Sequence, residues 1–266
     1  MNLFKIIEDI EKVDPEVYER LDSRRKVFQH MGSFSKKAAL AAIPLALGSV
    51  FQKAYGQTSN DVLDVLNFAL KLEYLERNFY TQALAANGLI TDNTARGAIQ
   101  IIRDHEAAHV DALIATIQSL NGTPIAEPTF DFGKNFPTWN SDYATFLTLA
   151  QAFEDTGVRA YKGQAPRLIN NDAVLTAALR IHSVEARHAA HIRRMRGNLA
   201  WIIGDGENSN VPAGAQPVYE GEGNVMQGGI SDVKTLGDGY SAAIATGAFD
   251  EPLTKAQVAT IVSLFE

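Results

Sequence analysis

Two tetrapeptides in this 266-residue chain set a carboxylate three residues before an imidazole: Glu106-Ala107-Ala108-His109 and Glu185-Ala186-Arg187-His188. On a helix this spacing leaves the two side chains about 60° apart around the axis, so both point the same way. Each pair follows a helix-compatible stretch with a Glu seven residues before a Tyr, Glu73 to Tyr80 and Glu154 to Tyr161. Glu154 and Tyr161 lie 81 residues beyond Glu73 and Tyr80, while Glu185 and His188 lie 79 beyond Glu106 and His109. So constant a step reads as a duplicated helical hairpin. In one bundle, the four stretches supply a Glu from each of two helices and a Glu-x-x-His from each of the other two, a set that binds two metal ions. Four carboxylates match the charge of two divalent ions. Without metal they would repel one another in a low-dielectric core, and some would take up protons. Glu106 and Glu185 are expected to bridge both ions, with Glu73 and Glu154 each capping one and one His on each.

A lone Glu-x-x-His is common on solvated helix faces and means little; two of them, each preceded by the same Glu and Tyr, are harder to obtain by chance. Glu76 is the alternative to Glu73, which alone keeps the seven-residue step to a tyrosine. Tyr80 and Tyr161 are expected to hydrogen-bond ligands or line the core. A metal-bound His usually gives its other ring nitrogen to an outer acceptor, and Asp155 is one candidate. His105, His182 and His191 read as surface or outer residues.

These groups need helices to carry them. Val62, Leu66, Ala69, Glu73, Glu76, Tyr80 and Leu84 follow 3/4 spacing after a capping run at Ser59, Asn60 and Asp61, and Asn87-Gly88 ends the stripe. A second helix over roughly 93–119 takes apolar faces from Ile101, Ile102, Ala108, Leu113 and Ile117 and closes at Asn121-Gly122. Residues 121–141 hold Pro124, Pro128, Gly133 and Pro137 among Phe130, Phe132, Phe136 and Trp139. Such a stretch fits the long crossover between two hairpins, its aromatics packed along the outside of the bundle. Ser141 and Asp142 cap a third helix (Phe146, Leu147, Ala150, Phe153, Glu154, Val158, Tyr161) that Gly163 and Pro166 are expected to stop. Asn171 and Asp172 open the fourth, with Val174, Leu175, Ala178, Ile181, Ile192 and Met195 beside its acid and His. The fold class is therefore all-α: an antiparallel four-helix bundle over 57–203 with a long crossover between helices 2 and 3. Ten of the 20 glycines fall between Gly204 and Gly247. Residues 204–266 thus read as a glycine-rich wrap on the bundle, ending in a short helix behind a Thr254/Gln257 capping box.

Residues 1–56 differ in kind. Ser23-Arg24-Arg25, further basic residues through Lys37, an apolar run from Ala38 to Gly48 and small residues at Ala54 and Gly56 resemble a twin-arginine export signal. The apolar run is shorter than the ~20 residues of a membrane span, so no stable span is expected once the signal is removed. A periplasmic or otherwise exported location follows as the expectation. The formal net charge is −7. An acidic body argues against nucleic-acid binding by phosphate neutralisation. The chain has no Cys, which excludes disulfides, thiolate catalysis and iron–sulfur clusters, and leaves oxygen and nitrogen ligands for any metal.

The stretches Leu72-Glu73-Tyr74-Leu75-Glu76, Phe153-Glu154-Asp155-Thr156-Gly157, Ala160-Tyr161-Lys162-Gly163, His182-Ser183-Val184-Glu185-Ala186-Arg187-His188 and Phe249-Asp250-Glu251-Pro252-Leu253 resemble the ferritin-like domain of the desiccation-related type. The resemblance spans about residues 58–265. It implies a ferritin-like four-helix bundle with a di-metal centre, all six ligand positions matching, and leaves the reaction open. The expected cofactors are two divalent transition-metal ions, iron or manganese, and the expected partners are those ions with oxygen or peroxide. Oligomeric state stays open. A ferroxidase-like or catalase-like oxidoreductase is one reading. The other is a non-enzymatic envelope stress or desiccation-protection protein whose metal is structural or vestigial.

Overall fold

The computed structural model describes residues 59–204, 213–237 and 239–266. The export signal expected over 1–56 lies outside the described residues. Four long helices dominate: α1 (Ser59–Ala85), α2 (Asn93–Ser119), α3 (Tyr143–Gln164) and α4 (Asp172–Met195). Two short ones follow, α5 (Ala242–Gly247) and α6 (Lys255–Val262). There is no strand among the described residues. As expected of an all-α bundle, α1 packs with α2 and α3 with α4, and the hairpins meet where α1 touches α3 and α2 touches α4.

Polar residues at the ends fix where α2, α3 and α4 begin. Asp92 accepts the Ala95 amide at 2.7 Å, Asp142 the Thr145 amide at 2.8 Å, and Asn171 the Val174 amide at 3.2 Å. Each satisfies an amide that the first helical turn leaves unpaired. Asn121, left-handed at φ 58°, ends the α2 turn. Gly122 then returns its amide to the Ile117 carbonyl at 2.9 Å. The Thr254/Gln257 capping box of α6 is present in both directions.

Burial follows the stripes with one revision. On α2 the core is Ile99, Ile102, Val110, Leu113 and Ile117, while Ile101 and Ala108, expected to face inward, are exposed. At about 100° per residue Ile101 lies roughly 160–180° round the helix from Val110 and Ile117, on the opposite face, and an isolated aliphatic at a helix surface is common. Helix α3 is buried almost all round, because the C-terminal segment covers the side that faces away from the bundle. That segment is less irregular than a glycine-rich wrap suggests, holding 3-10 turns at Ala213–Tyr219 and Val233–Leu236 as well as α5. The crossover aromatics lie on α1 and α3 and are themselves covered. Phe132 stands 5.2 Å from Phe79, 5.9 Å from Phe153 and 5.8 Å from Phe265 of the C-terminal turn, ring centre to ring centre.

Gly163 was expected to stop α3, and it does not: the helix runs on to Gln164 and Pro166 enters the 3-10 turn Ala165–Leu168. Its lack of a side chain serves the wrap instead. A Cβ on Gly163 would stand 2.0 Å from the Leu253 carbonyl oxygen, where the C-terminal backbone crosses the helix and Leu253 donates its amide to the Arg159 carbonyl at 3.1 Å. Gly163→Ala should therefore destabilise the protein by at least the ~1–3 kcal/mol of overpacking, despite the better helix propensity of Ala. Urea unfolding checks this; an unchanged or raised midpoint would show that the strand of chain at Leu253 gives way freely.

Candidate metal centre

Six ionisable side chains converge at the middle of the bundle. Glu73 comes from α1, Glu106 and His109 from α2, Glu154 from α3, and Glu185 and His188 from α4. All four carboxylates are fully buried and both imidazoles nearly so. His109 Nδ1 lies 3.1 Å from Glu73 Oε2, 3.0 Å from Glu106 Oε2 and 3.1 Å from Glu185 Oε1. His188 Nδ1 lies 2.8 Å from Glu106 Oε1, 3.3 Å from Glu154 Oε2 and 4.0 Å from Glu185 Oε2. The donors thus form two overlapping sets, Glu73–Glu106–His109–Glu185 and Glu106–Glu154–Glu185–His188, each with its ligand atoms within 4.8 Å of one another. Glu106 and Glu185 belong to both.

The remaining oxygens of the outer pair of acids are held crosswise. Tyr161 of α3 donates to Glu73 Oε1 of α1, and Tyr80 of α1 donates to Glu154 Oε1 of α3. Burial, then the adjacent carboxylate, keeps both phenols protonated far above the usual tyrosine range. Each of these acids therefore offers inward only the oxygen that its tyrosine does not hold.

The electrostatics show how much negative charge is packed here. Burial pushes Glu106 up to about 7 and Glu185 well above the usual carboxylate range, the latter with the help of Glu106. Glu73 is held low because, against burial, His109 favours its charged form. Burial alone would lower both imidazoles. Instead Glu73 leads the carboxylates that raise His109, and Glu154 and Glu106 push His188 up to about 11.

Protons on two imidazoles do not satisfy this cluster. One N–H at His109 cannot serve three carboxylate oxygens at 3.0–3.1 Å. Glu106 Oε1, Glu154 Oε2, both oxygens of Glu185 and His188 Nδ1 are buried without a hydrogen-bond partner, although some of them lie within 3.3 Å of one another. They are close but wrongly angled for each other, as atoms aimed at a common point are. Orphaned buried polar atoms cost ~1–3 kcal/mol each, more when charged. Neighbouring ligands held ~2.1 Å from one first-row cation stand ~3 Å apart, which is the spacing seen. The cluster is fit to hold metal by charge, by donor type and by spacing.

Around the donors the structure redistributes several residues. Asp155, expected as the acceptor behind a ligand imidazole, serves elsewhere: it takes Arg193 Nη2 at 2.5 Å and the Tyr219 hydroxyl at 2.8 Å. A buried carboxylate goes to the buried guanidinium that can neutralise it. His188 Nε2 instead meets His105 Nδ1 at 2.9 Å. Glu76 is buried but belongs to neither donor set. Burial, then Glu185, drives it well above the usual carboxylate range, and it lines a cavity of about 10 Å³ with Leu72, Phe153 and Ile261. Gly157 of α3 leaves room for two acids, since a Cβ there would meet Glu76 Oε1 at 3.1 Å and Glu185 Oε2 at 3.2 Å. Nothing in the local sequence around Gly157 signals this role. His191 is exposed and His182 half-buried.

Residues 61–198 match the family model described as the ferritin-like domain. The matched span begins within α1 and ends just beyond α4, so it contains all six donors. No curated protein matches the chain.

Proposed function

The chain belongs to the ferritin-like domain family, and from that premise we propose that it is an exported di-metal carboxylate protein of the desiccation-related type, handling ferrous iron or peroxide in stress protection. The observation that carries the metal reading is the pair of overlapping donor sets sharing Glu106 and Glu185. Two iron or manganese ions held there would supply electron transfer with oxygen or peroxide. Glu73 and Glu154 would hold one ion each, with His109 and His188, and Glu106 and Glu185 would join the two. Tyr80 and Tyr161 orient the terminal carboxylates and keep their own protons. The four carboxylates are wholly buried away from bulk water and the two imidazoles nearly so. Export rests on the basic, then apolar, then small-residue order of residues 1–56. Among the described residues no helix is long and apolar enough to cross a membrane.

The test is metal analysis of natively exported protein, followed by anaerobic ferrous loading and exposure to oxygen or peroxide. Stoichiometric metal with turnover of ferrous iron or peroxide supports the proposal. Metal without turnover would favour the structural role, and no stoichiometric metal after loading would end the metal reading.

Metal must displace the protons that the carboxylates hold on His109 and His188. His188 is pushed up to about 11 and His109 is raised as well. Loading at pH 7 should therefore expel protons from the imidazoles and from Glu185, whose carboxyl is also held well above its usual range, and affinity should climb as pH rises. Calorimetric titrations in buffers of different ionisation enthalpy measure the release; a proton count of zero would mean that the cluster holds no protons for metal to displace.

A further inference from the structure

We infer that the two metal positions are unequal, and that His105 makes the Glu154–His188 position the tighter one by fixing His188 in the tautomer that offers Nδ1 to a cation. This rests on the di-metal reading above. The duplication is faithful in the donors and unfaithful behind them. His105 Nδ1 stands 2.9 Å from His188 Nε2, with ring planes 14° apart and centres 5.2 Å apart. That centre distance is the nitrogen separation plus a ring radius at each end, so the rings lie end to end nearly in one plane. An N–H···N hydrogen bond between imidazoles needs this arrangement. When His188 gives Nδ1 to a cation, its proton resides on Nε2 and is donated to His105 Nδ1. His105 then carries its own proton on its other nitrogen.

The other half has no such partner. The step of 79 residues that takes Glu106 to Glu185 and His109 to His188 takes His105 to Val184. An isopropyl group neither donates nor accepts. Among the described residues, the hydrogen bonds of His109 all run through Nδ1 to carboxylates, and Nε2 has no protein partner. His109 is therefore positioned by its carboxylates and by packing alone. An outer partner fixes the ring and raises ligand basicity, and losing it typically costs 10–100-fold in metal affinity. His105 is a positioning residue: it touches the ligand and not the ion.

Cobalt(II) titration of the metal-free protein, followed by calorimetry and by visible absorption, tests this. The wild type should bind two ions in two resolved steps. His105→Ala should weaken the tighter step by ~10–100-fold and leave the weaker step in place. His105→Asn, whose side-chain oxygen can accept the same proton, should recover much of the loss. His105→Asn keeps an acceptor for His188 Nε2 and should leave the unfolding midpoint of the metal-free protein in place, whereas His105→Ala leaves that buried N–H without a partner and should lower it. Two equal steps in the wild type, or a His105→Ala protein with both steps unmoved or both weakened alike, would overturn the inference. A wild type that takes up no cobalt would overturn the di-metal reading itself, a distinct result.

Discussion

Changing Glu106 and Glu185 together to Gln makes the stability of the protein indifferent to transition metal. In the wild type, manganese(II) at ~1,000 times its dissociation constant should stabilise the fold by about 4 kcal/mol per ion. For a domain of this size that is on the order of 10 °C in Tm. The double variant should show no such shift, because these two carboxylates belong to both donor sets and each position loses two of its four donors. Gln keeps the shape of the acid and removes buried like charge, so the metal-free variant should still fold cooperatively. A single change at Glu73 or Glu154 should abolish one ion's increment and keep the other. Scanning calorimetry with manganese and then with chelator gives the comparison. Equal shifts in variant and wild type would place the metal elsewhere on the protein.

The second large effect lies away from the centre. Arg159 is fully buried on the outer side of α3 and is the clamp of the C-terminal segment. Its guanidinium donates to the carbonyls of Val218, of Glu220 at 2.5 Å and of Glu251 at 2.7 Å. It also lies 2.9 Å from Glu222 Oε1. Arg159→Met should cost about 3–5 kcal/mol, because three carbonyls lose their donor and Glu222 is left as an uncompensated buried acid. Glu222 already sits at about 7, raised by burial with Arg159 opposing. Its folded pKa exceeds its unfolded one, so its contribution to stability is greatest below the ordinary carboxylate range and falls as pH rises towards 7. Without Arg159 the fall should steepen and extend to higher pH. Replacing Glu222 with Leu in the same molecule should restore part of the loss and flatten that dependence. Urea unfolding between pH 5 and 8, with proteolysis to locate any released segment, reads both effects. If Arg159→Met alone were neutral, the segment would be held by its apolar contacts and not by this cation.

The helices and the convergence of the six side chains were legible because their information is local and repeated. An acid inside an apolar 3/4 stripe is costly unless something neutralises it, and the same anomaly occurring twice at one step ties four segments together. The caps at Asp142, Asn171 and Thr254 were legible for the same reason, since each bonds an amide three residues on. What the sequence hid depends on distant partners. Asp155 is claimed by Arg193 and Tyr219, 38 and 64 residues further along, and nothing near it says so. Gly163 looks like a helix terminator until the Leu253 backbone is seen crossing it. Ile101 reads as a core residue by its type, and only the angular position of its neighbours turns it outward. His105 was visible as an imidazole beside Glu106, but its bond to His188 spans 83 residues and two hairpins.

The crossed tyrosines carry a consequence for assembly. Tyr80 steadies an acid of the opposite hairpin, Tyr161 returns the service, and each Glu-x-x-His lends its acid to the neighbouring hairpin's donors as well as its own. Neither half is self-sufficient. Were the chain cut within the crossover, a fragment ending near residue 130 would carry a tyrosine with no acid to steady and a histidine short of oxygens. To complete even one cation's surroundings it would have to find its complement, or a second copy of itself turned end for end.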